Sequence, residues 1–82
     1  MPQLDFNLLL DLDALLSEGS VVGAARRLHL SAPAMSRRLT RLREALGDPL
    51  FVPAGRGLVP TQRALALRER VQAAIKEVQG VF

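Results

Sequence analysis

Ten of the eleven basic residues in this 82-residue chain are arginines, and they are not spread evenly. Residues 20–63 hold eight of them against only Glu44 and Asp48, a local excess of +6, whereas residues 1–19 hold four acids and no Lys or Arg. A guanidinium is a planar, permanently charged fork that matches phosphate oxygens and the O6/N7 edge of guanine. Arginine concentrated in one half of a small chain points to a polyanion as partner, although on charge alone the arginines could equally serve to solvate a small domain. The densest group is Ser31, Ala32, Pro33, Ala34, Ser36, Arg37, Thr40 and Arg41, in which short or hydroxylic side chains leave a backbone approachable and two arginines reach beyond it. Arg37 is long enough to meet a guanine edge with both arms, and Ser31 and Ser36 can donate to phosphates or bases. Ser31 is equally placed to cap a helix, and Ser36 to be an ordinary surface serine. Arg38, Arg41 and Arg43 read as phosphate-facing or solvated. Arg56 stands between Gly55 and Gly57, the position of a positive side chain on an exposed turn.

Other chemistries find no support in the residues. There is no cysteine, so disulfides and thiolate metal sites are ruled out. His29 has no Cys, Asp or Glu companion at ligand spacing and reads as structural or exposed. Asp11 and Asp13, two apart on a helix, do not face each other. No nucleophile is paired with a base and no glycine-rich phosphate loop has the required spacing, so neither catalysis, nor a metal, nor a cofactor is expected. No run of about 18 apolar residues occurs, and the N-terminal residues lack a basic stretch before an apolar segment. A cytoplasmic protein without a membrane segment is expected.

The elements that must position the arginines follow from periodicity and punctuation. Residues 5–18 read as a first helix with Phe6, Leu9, Leu10, Leu12 or Asp13, Leu15 and Leu16 on one broad face and Gly19 as its stop. Ser20 caps a short second helix with Val21, Ala24, Ala25 and Leu28 inward and Arg26 and Arg27 outward. After a break at His29-Leu30, Ser31 caps a third helix with Pro33 in its first turn. There Met35, Leu39, Leu42 and Leu46 recur at spacings of four, three and four, and Gly47 ends the run. Projected at about 100° per residue, these four share one arc, and Pro33, Ser36, Arg37, Thr40 and Arg41 lie opposite. Two helices joined by a short turn, with small Ala24 and Ala25 where they approach, have the pattern of a helix-turn-helix, which αα-hairpins without DNA function share. Leu50–Val52 and Leu58–Val59 read as a tight hairpin with Arg56 at its tip. Thr61 opens a last helix in which Ala64, Leu67, Val71, Ala74, Val78 and Val81 form an a/d heptad seam. A helix of about 20 residues spans about 30 Å. That is more than so small a core can cover, so these six residues are expected to pair with a second copy, with burial against the chain's own domain as the alternative; Leu65 and Ile75, off the seam, are expected to face the globular part.

The string EGSVVGAARRLHLSAPAMSRRLTRLREALGDPLFVPAGRGLVPT, with its Ala-Ala pair, Ser-rich helix start, Ser-Arg-x-Leu, Leu-Gly, Leu-Phe and Pro-Thr, resembles the DNA-binding end of LysR-type transcriptional regulators. The resemblance covers roughly residues 4–80. It implies a mainly α fold, a winged helix-turn-helix of three helices with a β-hairpin wing, followed by a long linker helix. The implied division is a DNA-binding domain over 4–61, with helix-turn-helix at 21–40 and wing at 50–59, and a linker or dimerisation helix over 62–82. It further implies binding to an interrupted palindrome in double-stranded DNA as a dimer or tetramer, and a small-molecule effector sensed by a separate domain absent here. The chain then reads as the DNA-binding part of a longer regulator. By resemblance Ser31, Pro33, Ala34, Ser36 and Arg37 match the contacting start of the recognition helix, and Arg56 the wing arginine. Two positions depart from the pattern: Pro53 stands where an arginine is frequent, and Ala64 where glycine is common. A helical protein-interaction module with a basic face is the competing reading.

Overall fold

The computed structural model describes residues 5–82, and the expected domain start at residue 4 lies outside them. The order is α1 (Phe6–Glu18), α2 (Val21–Arg27), α3 (Ala32–Leu46), β1 (Phe51–Ala54), β2 (Gly57–Pro60) and α4 (Gln62–Val81). This is a mainly α winged helix-turn-helix with a long C-terminal helix. Three helices start on the side chains that the sequence singled out. Ser20 Oγ accepts the Gly23 N–H at 2.9 Å, Ser31 Oγ the Ala34 N–H at 3.2 Å, and Thr61 Oγ1 the Ala64 N–H at 3.2 Å. α1 begins one residue later than expected, because Asp5 is its extended N-cap and accepts the Asn7 N–H at 2.9 Å. Gly19 and Gly47 close α1 and α3 in the left-handed conformation.

The core is aliphatic around one aromatic ring. Leu12, Ala14 and Leu15 of α1, Ala24 and Ala25 of α2, and Met35, Leu39 and Leu42 of α3 meet Leu50 and Phe51 at the base of the hairpin. The paired alanines of α2 let it lie close between its larger neighbours. α4 joins the same core through Ala64, Val71 and Ile75 and packs against α1. Ile75 thus faces the globular part as expected, but Leu65 does not and is 48% exposed. It follows Ala64 by one residue, about 100° around the helix, and Ala64 already occupies the inward direction.

β1 and β2 pair antiparallel with Phe51 opposite Pro60, Val52 opposite Val59, Pro53 opposite Leu58 and Ala54 opposite Gly57, so the turn is tighter than expected. Leu50 and Phe51 are both buried, although adjacent side chains of a strand point to opposite faces. Leu50 resolves the conflict with a left-handed backbone, φ 64°, at a cost of about 1–2 kcal/mol. The surroundings hold it there. Its N–H donates to Asp48 Oδ2 at 2.8 Å, its carbonyl accepts the Thr61 N–H at 2.8 Å, and the Phe51 N–H donates to the Pro49 carbonyl at 2.7 Å. Asp48 Oδ2 also accepts the Thr61 hydroxyl at 2.9 Å, so one carboxylate joins the end of α3 to the start of α4. The far strand is tied to the α1–α2 turn by the Leu58 N–H donating to the Gly19 carbonyl at 2.8 Å. A Cβ at Gly57 would stand 2.9 Å from that same carbonyl, so only glycine fits the approach.

Candidate nucleic-acid interface

α3 carries four arginines, and the fold treats them in two pairs. Met35, Leu39 and Leu42 bury one face, which turns Pro33, Ser36, Arg37, Thr40 and Arg41 into solvent on the other. Arg38, about 100° from Arg37, lies on the flank toward α1, where its Nη1 donates to Asp11 Oδ1 at 2.9 Å. Arg43 lies on the opposite flank, toward the hairpin, with Nε donating to the Pro49 carbonyl at 2.8 Å and Nη2 to the Phe51 carbonyl at 3.2 Å. The reading of Arg38 and Arg43 as phosphate-facing or solvated is therefore corrected. Each points sideways off the helix and meets an acceptor that folding brings beside it.

Ser31 is exposed while its hydroxyl oxygen caps α3, leaving the hydroxyl hydrogen available. Ala32 and Ala34 are half-buried in the first turn and Pro33 is exposed between them, a low-profile surface at the helix start. The Thr40 hydroxyl donates to the Ser36 carbonyl at 3.2 Å, which holds it against the helix. Arg56 is exposed on a different element, the hairpin turn after left-handed Gly55, and the Arg43 clamp ties that hairpin to α3 at its base. The outward side of the hairpin is otherwise apolar, with Val52 and Val59 each about half exposed.

Asp11 was not singled out by the sequence reading as part of any site. It is 2% exposed, the one buried charged residue among those described. Burial pushes its carboxyl above the ordinary carboxylate value, opposed by the hydrogen bond and charge of Arg38 and by the charge of Arg41. One signal for it was present: Asp11 falls four residues before Leu15 and three after Leu8, inside the apolar arc of α1. Its partner, 27 residues away, was not legible from spacing. On the outer side, Arg27 bridges Asp13 at 3.4 Å and Glu18 at 3.7 Å in an exposed pairing of small energetic weight. Among the described residues no three His, Asp or Glu side chains gather to hold a metal, and no helix is long and apolar enough to cross a membrane.

The expectation that all six heptad residues of α4 meet a second copy is corrected, because α4 packs along α1 and its seam divides. In the a column Ala64 and Val71 are buried against the chain's own core and Val78 is half-buried; in the d column Leu67 and Ala74 are half-buried and Val81 is exposed.

Helix-turn-helix, hairpin and an arginine-bearing third helix together define the winged helix-turn-helix class. The family model for the bacterial regulatory helix-turn-helix protein of the lysR family matches residues 6–65, and the chain belongs to that family. Nodulation protein D 2 of Sinorhizobium fredii is 51% identical over 76 residues, 93% of this chain and 24% of that protein. Nodulation protein D 1 of Rhizobium meliloti is also 51% identical, over 93% of this chain and 25% of its own length. The chain thus spans about a quarter of the curated relatives it matches. Among solved structures, a probable transcriptional regulator of Pseudomonas aeruginosa superposes with a TM-score of 0.89 at 45% identity, covering 94% of this chain and 26% of that one. The DNA-binding domain of CbnR, solved in complex with DNA, gives 0.86 at 27% identity over 95% of this chain and 90% of its own.

Proposed function

We propose that this chain is the sequence-specific, double-stranded DNA-binding part of a LysR-type transcriptional regulator. α3 enters the major groove by its N-terminal end, and the hairpin follows the adjacent minor groove with Arg56. The observation that carries this is the division of the α3 arginines. Arg37 and Arg41 stand outward beside the low-profile Ser31–Ser36 turn, while the two flank arginines fix the helix to α1 and to the wing. A basic surface for an acidic protein needs charge but not that precise helix placement. The solved complex of the related CbnR domain with DNA supports the same reading. The role is recognition rather than catalysis, in the cytoplasm, and the effector ligand is sensed by a part of the regulator beyond these residues. Selection of bound sequences from a random duplex pool tests the proposal: an interrupted palindrome is expected, and an unenriched pool overturns sequence-specific reading by this chain.

Residues 62–82 serve as the pairing helix of a homodimer, from which tetramers of the full regulator are built. Since the core already takes Ala64, Val71 and Ile75, the second copy meets the flank of Leu67, Ala74, Val78 and Val81. An antiparallel crossing at the small Ala74 sets Leu67 of one copy against Val81 of the other, and Arg70 beside Glu77. Opposite charges on that edge favour this direction of pairing.

A further inference from the structure

Arg38 sits on the proposed reading helix, next in sequence to Arg37, yet its guanidinium is drawn to the far side of an interface between two helices. Asp11 holds it at 2.9 Å, and the carboxylate is almost fully buried while the Arg38 side chain is 35% exposed. The free end of the guanidinium is therefore at the surface, on the flank of α3 that would run beside a groove wall. Pairs of this kind are poor sources of stability, because desolvating the buried carboxylate offsets the attraction and an apolar pair of similar volume serves as well or better. A purely structural brace between α1 and α3 did not need a charge there. The consequence of using one is that the arginine on α3 nearest the reading face is kept engaged with α1.

We propose that Asp11 sets the strength of this chain's sequence-independent grip on duplex DNA, by holding the Arg38 guanidinium against α1 and off the phosphate backbone. The proposal rests on α3 being the DNA-reading helix. Sequence-independent affinity follows the number of phosphates neutralised, each adding about 0.9 to the magnitude of the slope of log K against log salt. A regulator with fewer such contacts loses less of itself to random sites. Arg41, whose charge also reaches Asp11, faces outward and stays available. Arg38 is held in reserve.

The test is fluorescence anisotropy of a labelled generic duplex titrated with the chain over a range of salt, for the wild type, Asp11→Asn, and Asp11→Asn with Arg38→Gln. Asp11→Asn is expected to steepen the slope by about 0.9 and to tighten binding up to about eightfold at 0.1 M salt. Adding Arg38→Gln is expected to return both to wild-type values. Glu69→Gln, which removes one exposed negative charge on α4 without releasing Arg38, is expected to leave the slope near the wild type. An Asp11→Asn slope equal to the wild type's or shallower, or a shift equal to that of Glu69→Gln, overturns the proposal and leaves the pair a brace. If Asp11→Asn does not fold by circular dichroism, Asp11→Leu combined with Arg38→Met gives the reciprocal test. Its slope should match the wild type's, and a slope shallower by about 0.9 means that Arg38 already touches phosphate. Absence of salt-dependent binding by the wild type itself would instead overturn the reading of α3.

Discussion

Arg37 and Arg38 are adjacent in sequence and identical in type, yet the second is held by a carboxylate of another helix and the first stands outward in solvent. What separates them is about 100° of helix rotation and the buried Asp11, and only the rotation is visible in the sequence. The caps Ser20, Ser31 and Thr61 were legible because a cap is a local interaction across three residues. The Asp11–Arg38 and Arg43–Phe51 contacts were not, because they depend on how elements pack. Arg37→Ala is expected to cost about 1–3 kcal/mol on the preferred site and to relax base preference there, while Arg56→Ala weakens binding evenly across sequences; parallel titrations on specific and scrambled duplexes check both. Arg43→Ala removes two hydrogen bonds from a charged donor at the base of the hairpin and is expected to cost about 1–3 kcal/mol in chemical denaturation. Asp11 gives a pH signature of the less common sign. Its folded pKa is raised by burial, so the stability it contributes is greatest when it is protonated and is lost as pH rises through that raised value. Asp11→Asn should flatten this part of the melting temperature against pH curve, and an unchanged curve would contradict the burial argument.

The elements themselves were largely readable: four helices with their order, and a hairpin displaced by a residue. Spacing misled on the use made of α4, whose whole seam it gave to a second copy. A heptad reports that two columns are apolar but not whether one partner or two cover them. Here Ala64 and Val71 of the a column lie under the chain's own α1, and in the proposed dimer the second copy meets the d column together with Val78. The two columns should therefore respond differently to charge. Ala74→Glu is expected to leave the melting temperature of the folded unit nearly unchanged while shifting sedimentation from dimer to monomer. Val71→Glu is expected to unfold the domain. A monomeric wild type would refute the pairing role of α4. In the wing, Gly57→Ala forces a Cβ against the Gly19 carbonyl and should lower stability by about 1–3 kcal/mol, the range for overpacking, as read by thermal melts.

At the scale of the whole molecule, the polarity noted along the chain becomes a polarity in space. The acidic N-terminal segment forms α1, which supplies the buried carboxylate behind α3, and the arginine-rich segment forms α2, α3 and the hairpin. Charge patterning pointed to a polyanion partner, and the fold adds which arginines stand outward and which are held by other groups. The measurement that bears most directly on that conclusion is the salt dependence of duplex binding by the wild-type chain beside an Arg37→Ala, Arg41→Ala double variant. The wild type is expected to lose affinity linearly in log salt, and the double variant to show a slope shallower by about 1–2 together with loss of preference for the selected sequence. Binding that ignores salt, or that survives the double substitution with slope and preference intact, would show that the outward face of α3 is not where this protein meets DNA.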